Sequence, residues 1–143
     1  MTRSGGRQTK PPDTTPTSIS CYYTIQTVSE AVHDNIEAIE AGYEFLLAYA
    51  AQGRETDEGP GGSEVRDTLT TMAGAAAAIG AMLADDNDPF AAVVVDDARK
   101  SGAAIALVLA QEAISSELVD NLNASIHLRA LLTDLFLLSE TLD

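Results

Sequence analysis

SEAVHDNIEAIEAGYEFLLAYAAQG, residues 29–53, decides how the chain is read. Val32, Ile36, Ile39, Tyr43, Leu46 and Ala50 recur there at steps of four, three, four, three and four. On a helix of about 3.6 residues per turn that spacing draws one apolar stripe, whereas a half-buried strand would alternate every second residue. Ile25 and Val28 carry the stripe upstream and Leu47 widens it downstream, while Asp34, Glu37, Glu40 and Glu44 occupy the opposite side. One face therefore suits a core and the other suits water. A helix from about Thr24 to Gln52 is predicted, with Gly53 as its C-terminal cap.

The same rhythm recurs outward from it. RETDEGPGG, residues 54–62, interrupts with charge, glycine and proline, and the loop Gly59–Ser63 reads as a flexible hinge. Ser63 is the expected N-cap of a second helix, with Glu64 and Asp67 where the helix dipole favours acids. Val65, Leu69, Met72, Ala76, Ile79 and Leu83 form its stripe. Gly74 and Gly80, each costing about 1 kcal/mol against alanine inside a helix, suggest close approach of a neighbour. Asp88-Pro89 signals a stop and a restart, the acid as cap and proline at the first helical position. A third helix then places Phe90, Val94, Ala98, Gly102, Ile105 and Leu109 on one side, with Asp96 and Lys100 paired at i,i+4.

Ser115-Ser116 is the preferred start of a fourth helix, although no Gly or Pro between Ile114 and Asn123 forbids one continuous element. The expected fold is all-α: an antiparallel four-helix bundle over residues 21–143, following a disordered tail over residues 1–20. The tail is rich in Gly, Pro, Ser and Thr and has too little apolar side chain to offset its ordering entropy. From Leu131 to Leu138 the last helix is apolar on nearly every side, so it is either central in the bundle or covered by a second chain. Leu128, Leu131, Leu135, Phe136, Leu138 and Leu142 are accordingly the candidate interface.

Charge narrows the partners. The chain carries a formal net charge of -14. Residues 1–20 hold Arg3, Arg7 and Lys10 against Asp13, so the remainder carries -16. Such a body has no basic surface to neutralise phosphates, which excludes nucleic acid, and it repels an anionic membrane. It suits another protein with a basic surface. Acidic excess with only two lysines is also a habit of halophilic proteins and of GC-rich genomes. Cys21 is the single cysteine, so there is no intrachain disulfide, and a cytoplasmic location is the expectation. The longest strongly apolar run, Gly102 to Ala110, is far too short to span a bilayer.

The sharpest chemical lead is Glu30-Ala31-Val32-His33. Di-iron carboxylate bundles use Glu-x-x-His because i and i+3 aim both ligands inward. Such sites need the motif twice, and the other histidine, His127, has Ala124 three residues before it. Glu30, His33 and Glu37 are therefore the candidate metal ligands of an alternative reading, a metal-binding bundle enzyme or carrier. Asp120 and Asp134 flank His127 at seven residues on either side, a spacing that would permit a pH-sensitive contact, and Arg129 is a lone cation in that segment. No Gly-x-Ser-x-Gly elbow occurs, and Gly59–Ser63 lacks the lysine of a phosphate-binding loop. No cofactor is implied. The leading expectation is a non-enzymatic helical interaction protein, an accessory, assembly or adaptor subunit that associates with itself and with a basic partner. A small-ligand sensor with a pocket between the small-residue helices is the third reading.

Overall fold

The computed structural model describes residues 18–142, with side chains from residue 30 to residue 141. Residues 1–17 of the expected tail lie outside the described residues, as do the side chains of Cys21, Ile25, Val28 and Leu142. The fold is an all-α bundle, with five helices among the described residues: α1 (Ser18–Ala50), α2 (Glu64–Leu83), α3 (Pro89–Leu109), α4 (Ser116–Ala124) and α5 (Ile126–Leu142). Helix α1 packs on α2, α4 and α5, α2 on α3, and α3 on α5. The expected fourth helix is thus two helices. Ser125 adopts an extended backbone between them, and its hydroxyl donates to the Leu122 carbonyl at 2.6 Å, occupying an acceptor that a continuing helix would use. The boundary near Ser115 is real, so α3 and α4 are not continuous. The Ser115 side chain accepts from the Leu118 N–H at 3.0 Å and caps α4. At the other end α1 begins at Ser18, upstream of Thr24 and inside the span assigned to the tail.

The stripe of α1 shifts register along its length. Val32, Ile36, Ile39 and Leu46 are buried as expected, but Gly42 and Tyr49 take the inward positions while Tyr43 and Ala50 sit at the edge. The reason at Gly42 is Met72. A Cβ on Gly42 would run into the methionine Cγ and Sδ, so the glycine is the seat of a core side chain from α2. The reason at Tyr49 is a hydrogen bond described below.

Helices α2 and α3 pair through small residues, Ala98 lying buried opposite Gly80. The glycines are not what permits this. A Cβ at Gly80 would meet the Ala98 Cβ at 3.9 Å, an ordinary contact, and Gly74 and Gly102 would meet nothing within 4 Å. Asp88 caps α3 as expected, its Oδ1 accepting from the Phe90 N–H at 2.9 Å with Pro89 in the first turn. Ser63 precedes α2 but its side chain makes no capping bond. Asp96 pairs with Lys100 at 3.0 Å and also with Arg99 at 3.0 Å.

Candidate functional site

One end of the bundle is tied by polar side chains that sequence reading left aside. Tyr49 points into the core and its hydroxyl donates to the Ile114 carbonyl at 2.6 Å. Burial raises the pKa of this phenol, against the lowering effect of the nearby Arg54 guanidinium, which lies 5.9 Å from its ring centre. Arg54 itself is wrapped by the loop that follows it, donating to the carbonyls of Thr56, Glu58 and Pro60. Asp57 takes the Ile114 N–H on Oδ1 and Arg66 Nε on Oδ2, the latter at 2.7 Å. These bonds, the Arg66 one foremost, hold the Asp57 carboxyl below its usual pKa. Arg66 also donates to the carbonyls of Leu109, Gln111 and Glu112, closing the end of α3. The segment read as a hinge is a pinned loop. Gly62 is buried so tightly that a Cβ would strike the Asp57 backbone carbonyl.

This knot has a consequence for the surface. Of the body cations, Arg54 and Arg66 bind loop carbonyls, and Arg99 and Lys100 bind Asp96. Arg129 is exposed and makes no ion pair among the described residues. Most acids therefore face water with no cation paired to them among the described residues.

The expected metal ligands Glu30, His33 and Glu37 all lie on α1. Glu30 and Glu37 are exposed and His33 is half-buried on α1, and no three His, Cys, Asp or Glu side chains converge on a metal position among the described residues. His127 is half-buried, and its backbone carbonyl accepts from the buried Ser101 hydroxyl at 2.9 Å. Asp134 instead meets Asp97 of α3. Burial, and then the hydrogen bond and charge of Asp97, push the Asp134 pKa up to about 7. Its Oδ2 is buried with no hydrogen-bond partner among the described residues.

The interface residues divide. Leu128, Leu131 and Leu135 are buried in the core of this chain, so the apolar excess of α5 is largely explained by its place between α1 and α3. They are not available to a second chain. Leu138 is half-buried, and Phe136 is exposed together with Leu137. Two clefts border exposed apolar side chains. The first, of about 210 Å³, lies between α3 and α4 and is lined by Ala104, Leu107, Val108, Leu118, Asn121, Leu122 and Ser125. No ionisable residue lines it. Leu107 is 68% exposed at its wall, and Ile126, next to Ser125, is 71% exposed. The second, of about 350 Å³, lies at the far end of the bundle. Leu83, Phe90, Ala91, Leu137 and Leu138 give it apolar walls, and Asp86 and Asp88 stand at its rim.

Neither cleft had a sequence signature, because each combines residues from separate helices whose apolar side chains individually read as core. No helix among the described residues is long and apolar enough to cross a membrane. The chain is an all-α helical bundle by its fold, and no family model, characterised protein or solved structure matches it.

Proposed function

We propose that this bundle is a non-enzymatic interaction protein, an accessory or adaptor subunit that associates with itself and binds a second protein with a basic surface. The observation that carries the reading is the uncharged cleft between α3 and α4 with Leu107 and Ile126 bare beside it. A chain whose body carries -16 repels its own copies over most of its surface. Contact between copies is cheapest where apolar area can be buried without bringing carboxylates together, and this cleft is such a place. The unneutralised acids elsewhere favour a cationic partner and speed its encounter. A cytoplasmic setting belongs to the same proposal and rests on the lone cysteine.

Multi-angle light scattering of the full chain across a wide concentration range tests the first half. A mass that rises toward a dimer supports self-association, and a constant monomer mass removes it. No three metal-ligating side chains converge among the described residues, so no observation favours the metal-carrier reading over this one.

A further inference from the structure

We infer that the end cleft formed by α2, α3 and α5 is a docking site for a segment of another protein that presents an apolar side chain flanked by lysine or arginine. This rests on the interaction reading above and gives it a second, chemically distinct surface. The walls, Leu83, Phe90, Leu137 and Leu138, offer an apolar seat of about 350 Å³, at the lower end of the roughly 300–1,000 Å³ range of ligand pockets. Leu137 and its neighbour Phe136 are exposed, so water leaves apolar area when the seat is filled.

The rim decides the partner's charge. Asp86 Oδ1 accepts from the Asp88 N–H at 2.8 Å, and Asp88 Oδ1 accepts from the Phe90 N–H at 2.9 Å. Each carboxylate thus uses one oxygen to build the turn and keeps the other without a partner among the described residues. Neither is ion-paired among those residues, nor is the adjacent Asp85, and no cation lines the cleft. A second copy of this chain would bring its own carboxylates against these. Residues 1–20 of the chain carry Arg3, Arg7 and Lys10 but, apart from Met1 and Ile19, no large apolar side chain to fill the seat. A separate protein with both features is the occupant that meets both walls and rim.

The test uses the full-length, isotope-labelled chain at a concentration where it is monomeric, with a short synthetic helix bearing leucines at i and i+4 between lysines. Amide shifts confined to the 83–91 turn and the 137–141 segment are expected. Asp86→Asn with Asp88→Asn retains both turn acceptors, because asparagine caps as well as aspartate. This double variant should bind roughly three- to tenfold more weakly, the loss of two exposed charge pairs. Glu117→Gln with Asp120→Asn, remote exposed acids, should leave affinity unchanged. Absence of binding overturns the inference, as does equal loss in the remote variant or equal binding of a peptide with glutamates in place of lysines. Cleft shifts that grow with protein concentration alone assign the seat to a second copy. Cleft shifts on deletion of residues 1–17 assign it to the chain's own N-terminus, and either result also overturns the inference. Light scattering reports self-association independently, so loss of this site and loss of the wider reading are told apart.

Discussion

Asp134 on α5 lies against Asp97 on α3, and burial, then the hydrogen bond and charge of Asp97, raise the Asp134 pKa to about 7. A folded-state pKa raised to about 7 means the folded protein holds a proton that the unfolded chain, near 3.8, has released. Between those values the folded state binds more protons, so stability falls as pH rises from about 4 to about 7 and then levels off. Asparagine at position 134 keeps a donor for Asp97 and removes the titration. Asp134→Asn is expected to flatten this part of the stability–pH curve and to be more stable than the parent at pH 8, measured by urea unfolding across pH. The lowered pKa values of Asp57 and Asp96 act in the opposite sense at lower pH and are common to both proteins. An unchanged slope in the variant would count against the raised pKa of Asp134.

Tyr49→Phe tests the knot at the other end. The ring stays in place, but the buried Ile114 carbonyl loses its 2.6 Å donor. An unsatisfied buried acceptor costs about 1–3 kcal/mol, so the unfolding free energy should drop by that amount, read as a lower denaturant midpoint with an unchanged slope. A change within error would mean that the tyrosine acts only as core volume.

Two glycine-to-alanine substitutions should act with opposite signs. Gly74 lies exposed inside α2 with open space around it, so Gly74→Ala is expected to stabilise by up to about 1 kcal/mol through helix propensity alone. At Gly62 the added methyl meets the Asp57 backbone, which cannot swing aside as a side chain could. Gly62→Ala should therefore destabilise by about 1–3 kcal/mol, and thermal unfolding of the two variants side by side reads the contrast.

Arg66→Lys addresses the same loop from its charged side. Lysine can still reach Asp57 but cannot supply the planar set of donors that binds Leu109, Gln111 and Glu112 together. Faster amide exchange over residues 109–114 is expected, with exchange in the body of α2 little changed.

What could be read from the sequence was local. The stripe of α2, the Asp88-Pro89 restart and the Ser115 cap each need only residues within a turn or two, and each is present. On α3 only Val94, Ala98 and Ile105 of the expected stripe are buried, and Ala91, Ser101 and Val108 take the other inward positions. Tyr43 and Ala50 stood in the expected α1 stripe where Gly42 and Tyr49 face inward, because those positions depend on Met72 and Ile114, which other parts of the chain supply. The roles of Arg54 and Arg66 were hidden for a different reason. Their acceptors are backbone carbonyls, which every residue has and no sequence pattern marks. Leu128, Leu131 and Leu135 looked surplus because α5 was counted as one helix among four equals, whereas it packs on both α1 and α3. Asp97 and Asp134 gave no hint of each other, being an ordinary surface acid and an acid near His127 in sequence.

The central claim is that the uncharged α3–α4 cleft joins two copies of an otherwise self-repelling chain. Sedimentation velocity on the parent, Leu107→Asp, Ile126→Asp and Leu47→Asp tests it most directly. Leu47 is 48% exposed on α1, does not line that cleft and serves as the control for adding a charge at a bare leucine. The expected result is a parent and a Leu47 variant that dimerise with similar affinity while the Leu107 and Ile126 variants remain monomeric. A parent that stays monomeric at every concentration, or Leu107 and Ile126 variants that dimerise as the parent does, would contradict it.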